Sequence, residues 1–195
     1  LKYIGMNPVI VHGGGPEISE LMKTKGIQPE FVDGLRVTTP ETMKIAEMVL
    51  TGSISPDLSS RFNAYGVSSV SVSGKDNKTI EAKQKDVRLG LVGEVTQVNT
   101  AYLNQLIQGG YLPVVSPIAY GENGMSLNIN SDEVAKHLAT ALGAEKLILM
   151  TDVDGVLEDK DEPFSLIPRM NVAGVQAAVE AGIISGGMIP QLACC

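Results

Sequence analysis

Pro8-Val9-Ile10-Val11-His12-Gly13-Gly14-Gly15-Pro16 reads as a strand, a turn and the start of a helix in one short stretch. The apolar run predicts a buried strand, and Pro16 suits a first helical position, where the missing N–H is no loss. Ile18, Leu21 and Met22 give the helix an apolar face. Free N–H groups at a helix start, with no side chains in the way, form a cradle for an anion. Three glycines in a row cost backbone entropy, so a ligand role is expected for them; the plain alternative is a tight turn. His12 reads as a structural turn residue rather than a base. The stretch is not the dinucleotide fingerprint, because Ile18 stands at its third glycine position.

Outward from this unit, short apolar runs alternate with amphipathic ones. Thr39 is a good N-cap before Pro40, with Met43, Ala46, Val49 and Leu50 following at helical spacing. A separate helix is predicted from Ser55-Pro56, carrying Leu58, Phe62 and Tyr65 and ending at Gly66. Val67 to Ser73 alternates as a strand, Asp76-Asn77-Lys78 turns, and Thr79 to Lys83 returns, which predicts a hairpin. Strands are expected over Leu91–Val98, Tyr111–Pro117 and Lys146–Thr151, the last two buried. Helices are expected over Thr100–Gln108, Asp132–Leu142 and Val172–Ala181, the last capped by Asn171. Apolar strands separated by helices imply an α/β fold with a mainly parallel sheet covered on both faces. Ligands in such sheets sit at the carboxyl ends of strands.

The composition agrees. Hydrophobic residues make 44% and charged ones 19% of 195 residues, a globular balance. With 15 basic and 22 acidic residues the net charge is −7, which argues against a nucleic-acid footprint. No apolar run is long enough to span a membrane. Only Cys194 and Cys195 could form disulfides, and adjacent cysteines pair poorly, so a secreted disulfide scaffold is excluded. No composition shift marks a domain boundary. The chain opens at Leu1 without Met and stops at Cys195, and is expected to be a fragment.

Four further segments carry chemistry. Arg36, just after Gly34, suits bidentate binding of a carboxylate or phosphate. Asn128, Asn130 and Asp132 alternate in an extended stretch before a helix, so they share one side; Asn130 or Ser131 is equally a plain helix cap. Thr151-Asp152-Val153-Asp154-Gly155-Val156-Leu157 follows a predicted strand, where a nucleotide would bind. Gly186 and Gly187, with Met188, form a late glycine pair. Gly74-Lys75 lacks the upstream glycine of a P-loop. There is no Cys/His cluster for zinc, and His137 reads as structural.

Taken in order, His12–Ile18, Gly34–Thr38, Val92–Val95, Asn128–Asp132, Thr151–Leu157 and Gly186–Pro190 resemble the amino acid kinase family, and within it the branch that phosphorylates N-acetyl-L-glutamate for arginine biosynthesis. The resemblance covers nearly the whole chain. It implies a three-layer αβα sandwich around a mainly parallel, eight-stranded sheet, incomplete here at both ends. It implies one domain over residues 1–195, with an acyl-acceptor lobe over about 1–125 and a nucleotide lobe over about 126–195. ATP and Mg²⁺ would be the cofactors. Gly14 and Gly15 would present N–H groups to the substrate carboxylate and the transferring phosphoryl. Arg36 would pair with the α-carboxylate, and Asn128 and Asn130 would bind substrate. Asp132 would organise catalytic lysines. Thr151, Asp152, Val153, Gly155, Val156, Gly186, Gly187 and Met188 would line the nucleotide site, and the predicted Val70–Lys83 hairpin would cover the acceptor pocket. A homo-oligomer (dimer or hexamer), a cytoplasmic location and no nucleic-acid or membrane partner go with it.

Two departures bear on activity. The family's glycine-rich first strand and its lysine are expected to precede Leu1, and Lys2 is not that lysine. The family's second catalytic lysine position is Gln191 here. Losing such a cation costs about 10²–10³ in rate, so little or no turnover is expected from this chain, together with low stability or self-association. A kinase for another acceptor, such as aspartate or carbamate, and a non-catalytic substrate-binding homologue are the alternatives; Gln191 favours the latter.

Overall fold

The apolar run before the glycines forms β1 (Ile10–Val11), and Gly15–Thr24 forms α1, in a computed structural model describing residues 1–151, 155–159, 162, 164–184 and 192. The chain divides into two compact units, Leu1–Ala144 and Glu145–Cys195. After α1, the first unit continues through β2 (Phe31–Val32), β3 (Leu35–Arg36), α2 (Pro40–Val49), α3 (Ser55–Ala64), β4 (Ser69–Ser73), β5 (Ile80–Gln84) and β6 (Gly93–Val98). It ends with α4 (Ala101–Gln108), β7 (Leu112–Ser116), β8 (Ile118–Tyr120), β9 (Ser126–Asn128) and α5 (Ser131–Leu142).

The fold is α/β, with a parallel sheet ordered β1–β7–β4. β7 is central and buried at every residue, as its unbroken apolar run predicts. The register pairs Val72 with Val115, so both point to one face, where they share a core with Leu103 of α4 and Val134 and Leu138 of α5. α3 packs on β4 and β7, and its Ser55 hydroxyl donates to the Val114 carbonyl at 3.1 Å. A second core joins Ile18 and Met22 of α1 to Met43, Ala46 and Val49 of α2. β1 was expected to be buried but is half-buried, because β7 is its one hydrogen-bonded neighbour among the described strands.

Several expectations need correction. The helix predicted through Leu50 and the separate one predicted from Ser55 are one helical run, joined by a π-helical turn over Leu50–Ile54. Pro56 has no N–H for the Gly52 carbonyl, and the wider turn absorbs that loss, the Ser55 N–H bonding to the Leu50 carbonyl instead. Tyr65 lies at the end of this run and is exposed rather than part of its apolar face.

The hairpin predicted over Val70–Lys83 does not form. β4 gives its edge to β7, while β5 pairs antiparallel with β6 and parallel with β8 in a second sheet ordered β6–β5–β8–β9. Asn77 and Lys78, both at positive φ, redirect the chain between the two sheets. The described strands thus lie in a three-stranded, a four-stranded and a two-stranded sheet, not one of eight.

In the second unit, the buried strand expected over Lys146–Thr151 is absent. Lys146–Met150 pairs with no strand among the described residues, and Ile148, Met150 and Thr151 are exposed. An apolar run becomes a strand only where a neighbour completes its hydrogen bonds. Val172–Glu180 forms α6, capped as predicted by the Asn171 side chain, which accepts from the Gly174 N–H at 2.8 Å.

Candidate functional site

In the first unit, the loop before α1 and the start of α5 face one cleft of about 180 Å³. Gly13, Gly14, Gly15, Arg36, Asn128 and Asn130 all line it. Three stretches far apart in sequence thus bring the predicted acceptor-site residues together. The glycine loop is packed as well as open. A Cβ on Gly14 would come within 2.4 Å of Ile54 Cδ1 and 2.8 Å of Leu50 Cδ2, both on the π-helical turn. At Gly15 the nearest atom to such a carbon is 3.9 Å away. Gly14 is therefore held by packing, whereas Gly15 has room.

Arg36 is 8% exposed, and no carboxylate forms an ion pair with it among the described residues. Its Nη2 donates to the Gly15 carbonyl and to Ser19 Oγ, each at 2.8 Å, and Nη1 donates to Met22 Sδ at 3.4 Å. The guanidinium lies 4.7 Å over the Phe31 ring. Three of its five N–H hydrogens are thereby spent, and two remain for a ligand. Burial holds its pKa below the ordinary value. A buried cation without an acid partner is costly unless an anion arrives to neutralise it.

Thr38, wholly buried, links the two sides of the cleft. Its hydroxyl hydrogen goes to the Arg36 carbonyl at 2.9 Å, so towards Asn128 it can only accept. Asn128 Nδ2 donates to it at 3.2 Å, which orients the amide. Asn130 proves to be the cap of α5, its Oδ1 accepting from the N–H groups of Asp132 and Glu133 at 2.9 and 3.2 Å. Its Nδ2 is left over and faces no protein acceptor among the described residues. Asp132, on the first turn of α5, is half-buried, and burial raises its pKa; no ion pair reaches it among the described residues.

A family model for the amino acid kinase family matches residues 1–195. The chain belongs to the amino acid kinase family. It is 49% identical over 195 residues to the acetylglutamate kinase of Alkaliphilus metalliredigens and 48% identical over 198 residues to that of Caldanaerobacter subterraneus. All of this chain takes part in both matches, and it spans 62% and 66% of the lengths of these curated relatives. Among solved structures, smu.665 from Streptococcus mutans superposes with a TM-score of 0.91 at 31% identity, over 99% of this chain and 78% of that one.

Of the residues that family resemblance assigns to the nucleotide, three are described, all in the second unit. Thr151 is exposed, Gly155 sits at φ +140, and Val156 is half-buried, its carbonyl accepting from the Ile167 N–H at 2.8 Å. Asp152, Val153, Gly186, Gly187, Met188 and Gln191 lie outside the described residues. Residue-by-residue reading missed Ser19 and Phe31 as partners of Arg36. Ser19 stands one helical turn beyond Gly15, but its role depends on β3 crossing that turn, a contact with no local pattern.

Burial also depresses the pKa of His12 on the glycine loop, against smaller opposing effects of the Gly13 carbonyl and the Glu17 charge. Below the ordinary histidine value of about 6.5 the unfolded chain then takes up a proton that the native one refuses. Stability is full above that value and falls as the pH drops from it towards the depressed native value. Melting temperature measured from pH 7.5 to 5 should fall over that window, and the fall should be smaller in His12→Asn.

Proposed function

We propose that this chain is the greater part of a kinase that transfers the γ-phosphoryl of ATP to the side-chain carboxylate of N-acetyl-L-glutamate, giving an acyl phosphate in arginine biosynthesis. The observation that carries this is Arg36: a buried guanidinium with no acid partner, set beside a glycine-rich helix start in one small cleft. That combination calls for a ligand with more than one negative oxygen. A cleft of about 180 Å³, below the roughly 300–1,000 Å³ usual for drug-sized ligands, suits a small carboxylate. Val92, Ile129 and Leu50 supply an apolar wall for methylene and acetyl groups. The acetylglutamate kinases matched above point to the same acceptor.

In this reading Arg36 holds the α-carboxylate, and Asn128 and Asn130 bind the substrate amide and carboxylate. Gly14 and Gly15 N–H groups face the attacking carboxylate and the phosphoryl it receives. A carboxylate needs no base to attack phosphorus, so positioning and charge neutralisation do the work. Asp132 orients cationic groups at the transferring phosphoryl. ATP is held by Thr151, Asp152, Val153, Gly155 and Val156 with Gly186, Gly187 and Met188, and Mg²⁺ arrives on its phosphates. No group of three His, Cys, Asp or Glu among the described residues could hold a metal without them. The acceptor lobe covers about 1–125 and the nucleotide lobe about 126–195. The whole protein works as a dimer or hexamer in the cytoplasm; no helix among the described residues is long and apolar enough to cross a membrane. Because Gln191 replaces a lysine, this chain itself turns over slowly or not at all.

Calorimetric titration of the folded chain with N-acetyl-L-glutamate, and with aspartate as control, tests the reading. Saturable heat with N-acetyl-L-glutamate alone is expected. Heat with aspartate alone would assign another acceptor, and no heat with either would refute the acceptor site.

A further inference from the structure

His12 is over nine-tenths buried at the head of the glycine loop, and its two ring nitrogens have different surroundings. Nδ1 lies 2.9 Å from the Gly13 carbonyl oxygen. A carbonyl oxygen only accepts, so Nδ1 carries the hydrogen and the neutral ring keeps a bare lone pair at Nε2. Nε2 is sealed from solvent and is the one buried side-chain nitrogen or oxygen without a hydrogen bond among the described residues. The opposite tautomer would lose the bond to Gly13 and bury an N–H donor with nothing to receive it.

The Gly13 carbonyl and the Gly14 N–H belong to one peptide unit. That unit is trans and planar, so the two bonds point in opposite directions. Whatever holds the oxygen therefore aims the N–H. Glycine on both sides of the unit offers little resistance to its flipping over, and a flipped unit would turn an oxygen towards an anion. We propose that His12 is a positioning residue: its Nδ1–H ties back the Gly13 oxygen so that the Gly14 N–H faces the cleft as an anion donor. The inference rests on the acceptor-site reading above for the identity of the anion, but not for the geometry of the loop.

Two measurements on the full chain test it. The first needs no ligand: nitrogen-15 NMR of the His12 ring should show the Nδ1–H tautomer, and the Gly14 amide resonance should move in His12→Phe, which keeps ring volume but has no donor. The second is calorimetry with N-acetyl-L-glutamate. His12→Phe is expected to bind about 10- to 100-fold more weakly, the worth of one hydrogen bond to a charged group. His12→Asn, whose side-chain amide can donate from nearly the place of Nδ1, should recover to within about threefold of the parent. An Nε2–H tautomer, parent-like binding by the Phe variant, or equal losses in the Asn and Phe variants would each overturn the proposal. If the parent chain binds no N-acetyl-L-glutamate, the acceptor reading fails, and the tautomer with the Gly14 resonance still decides the role of His12.

Discussion

An Arg36→Met variant should bind N-acetyl-L-glutamate at least about 30-fold more weakly than the parent chain while melting within a few degrees of it. Truncating one partner of a buried charged pair costs about 2–5 kcal/mol, and tenfold in affinity is about 1.4 kcal/mol. The second half of the expectation is the more diagnostic. In the unliganded protein Arg36 is a buried cation whose partners are the Gly15 carbonyl, Ser19 Oγ, Met22 Sδ and the Phe31 ring. Methionine loses those hydrogen bonds, each worth about 0.5–1.5 kcal/mol net, but also removes the cost of burying a charge. The two effects offset, and the thioether fills the same space beside Met22 and Phe31. Arg36→Lys keeps the charge and loses the planar fork, so it too should bind weakly. Titration calorimetry beside a thermal melt separates the cases. Retained binding would remove Arg36 from the site, and a collapse of the melt would make it a structural residue.

Gly90→Ala should destabilise the protein by about 3 kcal/mol or more, a drop of roughly 6–12 °C in melting temperature for a chain of this size. Gly90 has φ +68 and ψ −126, a region that residues with a Cβ avoid. Its ideal Cβ would also stand 2.4 Å from the Thr38 carbonyl oxygen, which is backbone and cannot rotate aside. The chain is pressed against Thr38 there because the Leu91 N–H donates to the Thr38 carbonyl at 2.7 Å and the Thr38 N–H to the Leu89 carbonyl at 2.9 Å. Gly110→Ala is the matching control: φ is +84, but no atom lies within 4 Å of the added carbon. It should cost only the backbone strain, about 1 kcal/mol. Denaturant unfolding of both variants checks the pair. Equal losses would mean that the contact with Thr38 is soft. Because Thr38 holds Asn128, the Gly90 variant should also bind acceptor less well than its stability alone predicts.

Much of this was open to a reader of the residues alone. The cap at Thr39, the glycine turn into α1, the apolar run of β7, the helix after Asn130 and the Asn171 cap are each settled within a few neighbours. A cap, a helical face or a proline acts over one or two turns of chain, so the pattern that encodes it is local. The ordered motifs from His12 to Pro190 carried the family by the same local means. Other features were decided only where the chain folds back on itself. Whether β4 takes β5 or β7 as neighbour depends on which edge is free, and nothing in Val67–Lys83 records that. Lys146–Thr151 has the composition of a strand, yet among the described residues no strand pairs with Lys146–Met150 to make it one. Arg36 is marked by its place after Gly34 as a candidate anion site, but its burial and its partners Ser19 and Phe31 appear only when β3 is laid across α1, and Gly90 is unremarked until Leu89 and Leu91 bracket Thr38. Strand pairing, burial of a charge and close backbone approach are contacts between residues distant in sequence, and their energy comes from geometry that no local pattern contains.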